Sequence, residues 1–239
     1  MRPAGGVALL LLALWGGAVA AAPCRLALLL AVDVSASVDA GEYVLQRDGL
    51  AAALDAPEVR EAILQGRGPV ALAAYEWSGR YQQATILPWV LLDSAGAIDA
   101  AVARIGAMHR VHEGFPTAAG YALGHGAGML LQAPACDRQV IDVSGDGVNN
   151  EGFGPALAYA NFPFDGVVVN GLAIAGSDGD VVRFYRDELR HGPGAFVEIA
   201  RGFADFRRAM TRKLYRETQE MVLGRAGDAA GDGPPRANF

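Results

Sequence analysis

Continuous apolar runs alternate along the chain with longer amphipathic stretches. Leu26 to Val32 has no polar residue, the pattern of a strand buried on both faces. Val70 to Trp77 reads as a second strand and Ala84 to Leu92 as a third, which Pro88 demotes to a sheet edge. Gln139 to Val143, Val167 to Ile174 and Phe196 to Ile199 complete the strand set. Between them, Gly41 to Leu54, Ala95 to Met108, Gly154 to Ala160 and Ala204 to Leu223 read as helices. Thr117 to Gln132 is a further helix, with small residues (Ala118, Ala119, Gly120, Gly124, Gly128) that allow close packing. Asp178 reads as the cap of a helix over Val181 to Leu189. Strands alternating with helices imply an α/β fold with a mostly parallel sheet, flanked by helices on both faces. Ligands of such sheets bind outside the carboxyl ends of the strands. The loops that follow the strands are therefore where chemistry is sought.

The two ends do not fit this pattern. Arg2 is followed by an apolar stretch from Val7 to Leu14 and small residues through Ala22. This is the layout of a secretory signal peptide over residues 1–22, with Ala18 and Ala20 at the cleavage zone. Its apolar core is shorter than the roughly 20 residues of a membrane span, and no second stretch reaches that length. The mature chain is expected to be exported, periplasmic in a Gram-negative source or otherwise secreted, with no transmembrane span. A lipid anchor on Cys24 is disfavoured by Pro23 just before it. Residues 224–239 are mostly Gly, Ala, Asp and Pro without periodicity and read as a disordered tail. One domain over 23–223 remains.

Composition narrows the partner. Of 239 residues, 52% are hydrophobic and 19% charged, which excludes a disordered or collagen-like chain. The formal net charge is −6 and no basic block occurs, so a surface that tracks nucleic-acid phosphates is not expected. Two cysteines in an exported chain suggest one disulfide, with two free thiols as the alternative.

The first strand ends abruptly in Asp33-Val34-Ser35-Ala36-Ser37. A carboxylate and two hydroxyls at alternate positions are oxygen ligands suited to a hard divalent cation. Capping of the next helix accounts for one of them, not for all three. The fourth strand is followed by Ser144-Gly145-Asp146-Gly147-Val148-Asn149-Asn150, a carboxylate between glycines that can approach an ion closely or simply form a tight turn. Thr117, after Gly114-Phe115-Pro116, opens a helix and is either an oxygen ligand or an N-cap.

Together, D-x-S-x-S after strand one, a threonine opening a later helix and an Asp-Gly after strand four resemble the metal-ion-dependent adhesion site of von Willebrand factor type A domains. The resemblance spans nearly the whole mature chain in element order. Val140 to Asn150 and Glu76-Trp77-Ser78 resemble an uncharacterised bacterial family of exported type A-like proteins, a domain of unknown function. The resemblance implies a Rossmann-like, doubly wound sheet of six strands in the order 3-2-1-4-5-6, with strand 3 an antiparallel edge. It implies that Ser35 and Ser37 coordinate an ion through their hydroxyls, and that Asp33, Thr117 and Asp146 contact it directly or through water. Mg²⁺ is the first choice, Mn²⁺ or Ca²⁺ the alternatives. The remaining positions hold water or an acidic residue from a protein partner. Two departures exist: Gly114-Phe115-Pro116 replaces the usual glycine-rich stretch, and Ser144-Gly145-Asp146-Gly147 replaces the usual Thr-Asp-Gly. Asp142, within the fourth strand, is a weaker candidate that reads as a buried structural acid.

The implied topology also places the cysteines. Cys24 lies nine residues before Asp33, and Cys136 ten before Asp146. With strands one and four as parallel neighbours about 4.8 Å apart, both cysteines fall at the opposite end from the aspartates. A Cys24–Cys136 bond is expected.

Two function classes follow. The first is a non-enzymatic module that binds a protein partner through the cation. The second is a metal-dependent hydrolase or phosphatase using the same loop carboxylates. An aspartyl phosphotransfer site wants D-x-D or a nearby lysine, and the only lysine is Lys213 in the last helix. His109, His112 and Glu113 lack the order of a zinc protease motif and read as solvated loop residues. Trp77 and Trp89 read as packing residues. The binding module is the favoured class.

Overall fold

The structure, a computed structural model, describes residues 24–176 and 179–223. The signal peptide and tail assigned to residues 1–22 and 224–239, and the cap at Asp178, lie outside the described residues. Six strands form one sheet: β1 (Leu26–Asp33), β2 (Val70–Trp77), β3 (Gln83–Leu92), β4 (Gln139–Gly145), β5 (Val167–Ile174) and β6 (Val197–Ala200). Their order is β3-β2-β1-β4-β5-β6. Only β3 runs antiparallel, against β2. The other neighbours are parallel. Every residue of β1, β2 and β5 is buried, which is why their sequences carry no polar alternation.

Seven helices cover the two faces: α1 (Ala40–Leu54), α2 (Pro57–Gln65), α3 (Ala95–Gly106), α4 (Ala119–Leu130), α5 (Pro155–Asn161), α6 (Gly179–Phe184) and α7 (Phe203–Leu223). Leu28, Leu30 and Leu72 pack under Leu50 of α1, Ile98 of α3 and Phe206 of α7. On the other face, Leu29, Tyr75 and Ile141 pack under Leu123 of α4 and Phe184 of α6. Helix α2, started by Pro57, was not expected from the sequence pattern. Two expected helices are shorter than their patterns suggest: α4 begins at Ala119 rather than Thr117, and α6 gives way to a π turn over Tyr185–Leu189.

Several contacts fix the sheet's lower end, away from the loops that follow β1 and β4. Cys24 and Cys136 form a disulfide with Cα atoms 4.4 Å apart, next to the first β1–β4 pairing. It closes a span of 112 residues, worth on the order of 4 kcal/mol in the chain-entropy account. Beside it the buried Arg25 guanidinium donates to Ala62 O (2.7 Å) and Ile63 O (2.9 Å) of α2, to Thr218 O (2.9 Å) of α7 and to Gly68 O (3.1 Å). One side chain thus ties β1 to two helices.

Asp142 is the buried structural acid expected of it. Its Oδ1 lies 2.7 Å from Lys213 Nζ, which lies 2.8 Å from Glu217 Oε1. Asn170 Nδ2 donates to the same Glu217 oxygen, and Asn170 Oδ1 accepts from Phe196 N. Burial raises Asp142 to about 7, the Glu217 charge adds to this, and Lys213 opposes it. The network locks α7 onto β4 and β5. Removing one partner of a buried ion network leaves uncompensated charge and costs about 3–5 kcal/mol. Lys213→Met is expected to lose stability of that order in urea unfolding, and Lys213→Met with Asp142→Leu and Glu217→Leu to regain most of it. A single Lys213→Met that unfolds at the wild-type urea midpoint would contradict this account.

Candidate metal centre

The parallel register sets the site. Val32 of β1 stands opposite Ser144 of β4, so Asp33, the last residue of β1, and Asp146, the first after β4, come out at the same end of neighbouring strands. Asp33 is fully buried; its Oδ1 accepts from Ser35 N at 2.7 Å, an Asx turn that bends the chain at the strand end. Ser35 Oγ lies 3.2 Å from Ser37 Oγ, and Ser37 Oγ donates to Asp146 Oδ1 at 2.7 Å. The two sequence-distant loops therefore meet through one string of oxygens. Neither serine caps α1. That task falls to Asp39, whose side chain accepts from Glu42 N while Glu42 reaches back to Asp39 N, a capping box.

Thr117 joins the site from a third loop. It precedes α4 and is not its cap, since Ala118 holds that position. Its hydroxyl faces Gly147, where an added Cβ would lie 3.2 Å from Oγ1. Asn150 Oδ1 accepts from Thr117 N at 2.8 Å, and Asn150 N and Glu151 N donate to Thr117 O at 2.9 and 3.1 Å. Asn149 Oδ1 accepts from Gly120 N at 3.5 Å. Both asparagines thus hold the threonine segment against the β4 loop, rather than stabilising their own turn alone.

Arg110 supports the site from the segment that precedes Thr117. Its guanidinium donates to Val34 O (2.6 Å), Ser35 O (3.0 Å), Val38 O (2.8 Å) and His112 O (2.9 Å). It clamps the D-x-S-x-S loop to the segment that leads to Thr117. Ala36 N donates to Phe115 O at 2.7 Å across the same junction. No spacing signal announces such a clamp, because its acceptors are all backbone carbonyls. His112 packs edge-on against Phe115, and the exposed Glu113 lies in the same connection. Trp77 is buried in the sheet, and Trp89 Nε1 donates to Met129 O.

The electrostatics are those of a site short of positive charge. Burial, and then the Asp146 charge, push Asp33 up to about 7. Burial raises Asp146 as well. Asp33 Oδ2 is buried without a donor, an arrangement that costs free energy in a carboxylate unless a cation or donor is supplied. The donors available are two carboxylates and three hydroxyls, all oxygen. Among the described residues no three His, Cys, Asp or Glu side chains come together. This set fits a hard divalent cation and not a thiolate or imidazole zinc centre. Gly145 is required for it: an added Cβ there would lie 2.6 Å from Asp33 Oδ2 and 2.7 Å from the Tyr185 hydroxyl.

The model of a family described as protein of unknown function (DUF1194) matches residues 23–222. No curated protein matches the sequence. Among solved structures, the chain is similar to a von Willebrand factor type A protein from Catenulispora acidiphila (18% identity, TM-score 0.55, 83% of this chain, 43% of that one). It is similar to proximal thread matrix protein 1 from the mussel byssus, solved with a zinc-occupied MIDAS motif (15% identity, TM-score 0.55, 84% and 49%). It is also similar to the pilus adhesin SpaC from Lactobacillus rhamnosus GG (14% identity, TM-score 0.57, 85% and 31%). The chain spans less than half the length of each. At these identities the likeness establishes a type A fold.

The raised Asp33 carboxyl gives a signed pH dependence. An acid with a folded pKa near 7, against an ordinary 3.8, binds its proton more tightly when folded. Its stabilising contribution is present below the ordinary value and is lost as pH rises through about 7. In chelator, wild-type stability in urea is expected to fall relative to Asp33→Asn between about pH 4 and pH 8. Parallel pH profiles for the two proteins would contradict it. Gly145→Ala is expected to unseat Asp33 and Tyr185 together, read as a lower melting temperature than wild type in chelator.

Proposed function

We propose, from the premise that the chain belongs to the DUF1194 family and carries a type A fold, that it is an exported, non-enzymatic module which binds a protein partner through a divalent cation. The observation that carries the proposal is the string Ser35–Ser37–Asp146 beside the donor-less carboxylate of Asp33. In this reading Ser35, Ser37 and Thr117 offer hydroxyls, and Asp33 and Asp146 neutralise charge. A bound cation supplies positive charge and coordination positions that the protein leaves open to an external oxygen. Hydroxyls in place of further carboxylates leave the ion wanting an acidic group, which a partner's Asp or Glu provides. Mg²⁺ suits the all-oxygen set best, with Mn²⁺ or Ca²⁺ as the alternatives.

Two basic groups among the described residues are committed elsewhere. Lys213 is committed to Asp142 and Glu217 inside the sheet–helix interface. Arg110 spends its guanidinium on backbone carbonyls. Neither is free to stabilise a transferring phosphoryl group. This favours binding over the hydrolase reading. Export is supported by the signal-peptide pattern of residues 1–22 and by likeness to a pilus adhesin and a byssus matrix protein. No described helix is long and apolar enough to cross a membrane.

The test is capture of an envelope protein by the immobilised mature chain, with Mg²⁺ or with chelator. Capture is expected only with the cation, and to be lost in Ser37→Ala and Asp146→Ala proteins that still fold. Capture that persists in chelator would overturn the proposal. Phosphate-ester hydrolysis that requires Mg²⁺ and is lost in Asp33→Asn would establish the enzyme class instead.

A further inference from the structure

One buried group beneath the site has no part in the ligand set. Tyr185 is fully buried at the head of the π turn, which closes with Arg190 N donating to Tyr185 O at 3.1 Å. Its ring crosses the sheet over Gly171 of β5, where an added Cβ would lie 2.5 Å from the ring. Its hydroxyl ends at Gly145 of β4, and Asp33 Oδ2 of β1 ends at the same glycine. Two glycines on neighbouring strands thus clear a path for one tyrosine to reach the carboxylate. The Tyr185 hydroxyl and Asp33 Oδ2 are both buried, and neither has a hydrogen-bond partner. Each lies within 2.7 Å of the point where a Gly145 Cβ would stand. A donor without an acceptor here faces an acceptor without a donor.

We propose that Tyr185 is a positioning residue of the cation centre: its hydroxyl serves Asp33 Oδ2 from beneath the sheet end and so sets the affinity of the site. The inference rests on the cation reading of Asp33, Ser35, Ser37, Thr117 and Asp146 given above. Ser35 N already orients Asp33 Oδ1. The Tyr185 hydroxyl stands on the Oδ2 side with no bond to that oxygen in this structure; donated to Oδ2, it fixes the other oxygen, so the carboxylate presents its remaining lone pairs in one direction. A neutral phenol is a donor here and not a further anion. Groups that orient a ligating carboxylate in this way change metal affinity about 10–100-fold when removed. A π turn is a frequent device for aiming one side chain at a functional site.

The experiment compares the mature wild type with Tyr185→Phe and Tyr159→Phe. Tyr159 is a second tyrosine of the same region, and its hydroxyl donates to Leu189 O, away from the site. Calorimetric titration with Mg²⁺ and with Mn²⁺ reads affinity, and melting of the chelated proteins reads packing. Tyr185→Phe is expected to bind about tenfold more weakly with an unchanged melting temperature in chelator. Tyr159→Phe is expected to bind like wild type. Equal affinity in wild type and Tyr185→Phe overturns the proposal while leaving the cation site standing. Weakening by the same factor in both variants, or a lowered melting temperature of chelated Tyr185→Phe, assigns the hydroxyl to packing and also overturns it. A folded wild type that binds neither ion overturns the cation reading and this inference with it.

Discussion

Two carboxylates held close together at the end of a parallel sheet are the constraint on which the arrangement depends. Asp33 and Asp146 leave neighbouring strands at one level because the β1–β4 register puts Val32 opposite Ser144. Burial raises both acids, and the Asp146 charge raises Asp33 further. The Ser35 amide and the hydroxyls of Ser35 and Ser37 link them, and the Arg110 charge only partly offsets the rise of Asp33. Elsewhere in the same molecule buried acids are answered from within: Lys213 meets both Asp142 and Glu217. The contrast separates a structural charge network from the acid pair of the proposed cation site.

The surrounding structure keeps that unfavourable pair in place. The disulfide and the Arg25 clamp act at the lower end of the sheet, where they fix β1 against β4, α2 and α7. At the upper end Arg110 binds the β1 loop through backbone carbonyls, and Asn150 binds the threonine segment to the β4 loop. Each clamp spends polar groups on backbone atoms, so the side-chain oxygens of Ser35, Ser37 and Thr117 are not needed to hold the loops. Preorganisation of this kind lowers the ordering cost of binding.

Much of the fold was legible because fully buried strands leave an unmistakable record. The apolar runs at Leu26, Val70 and Val167 mark β1, β2 and β5 to within a residue, and Pro88 correctly marks β3 as an edge. Helix α2 escaped because it is short and its pattern merges with the end of α1. The grouping of Asp33, Ser35, Ser37 and Asp146 was legible through alternation at a strand end and through family resemblance. The supports were not. Arg110 acts on carbonyls, which every residue has. The capping role of Asp39 was hidden by the two serines that precede it. Tyr185 reaches the site only because glycines lie on two strands brought together by topology, and no local spacing encodes that.

The account stands on the presence of a cation at this site. The most direct measurement is electron paramagnetic resonance of Mn²⁺ titrated into chelator-treated mature protein, with Asp33→Ala alongside. The account predicts one saturable site in the wild type, displaced by Mg²⁺ and absent from a folded Asp33→Ala protein. Free Mn²⁺ throughout the titration of a folded wild type, or equal uptake by the variant, would contradict it.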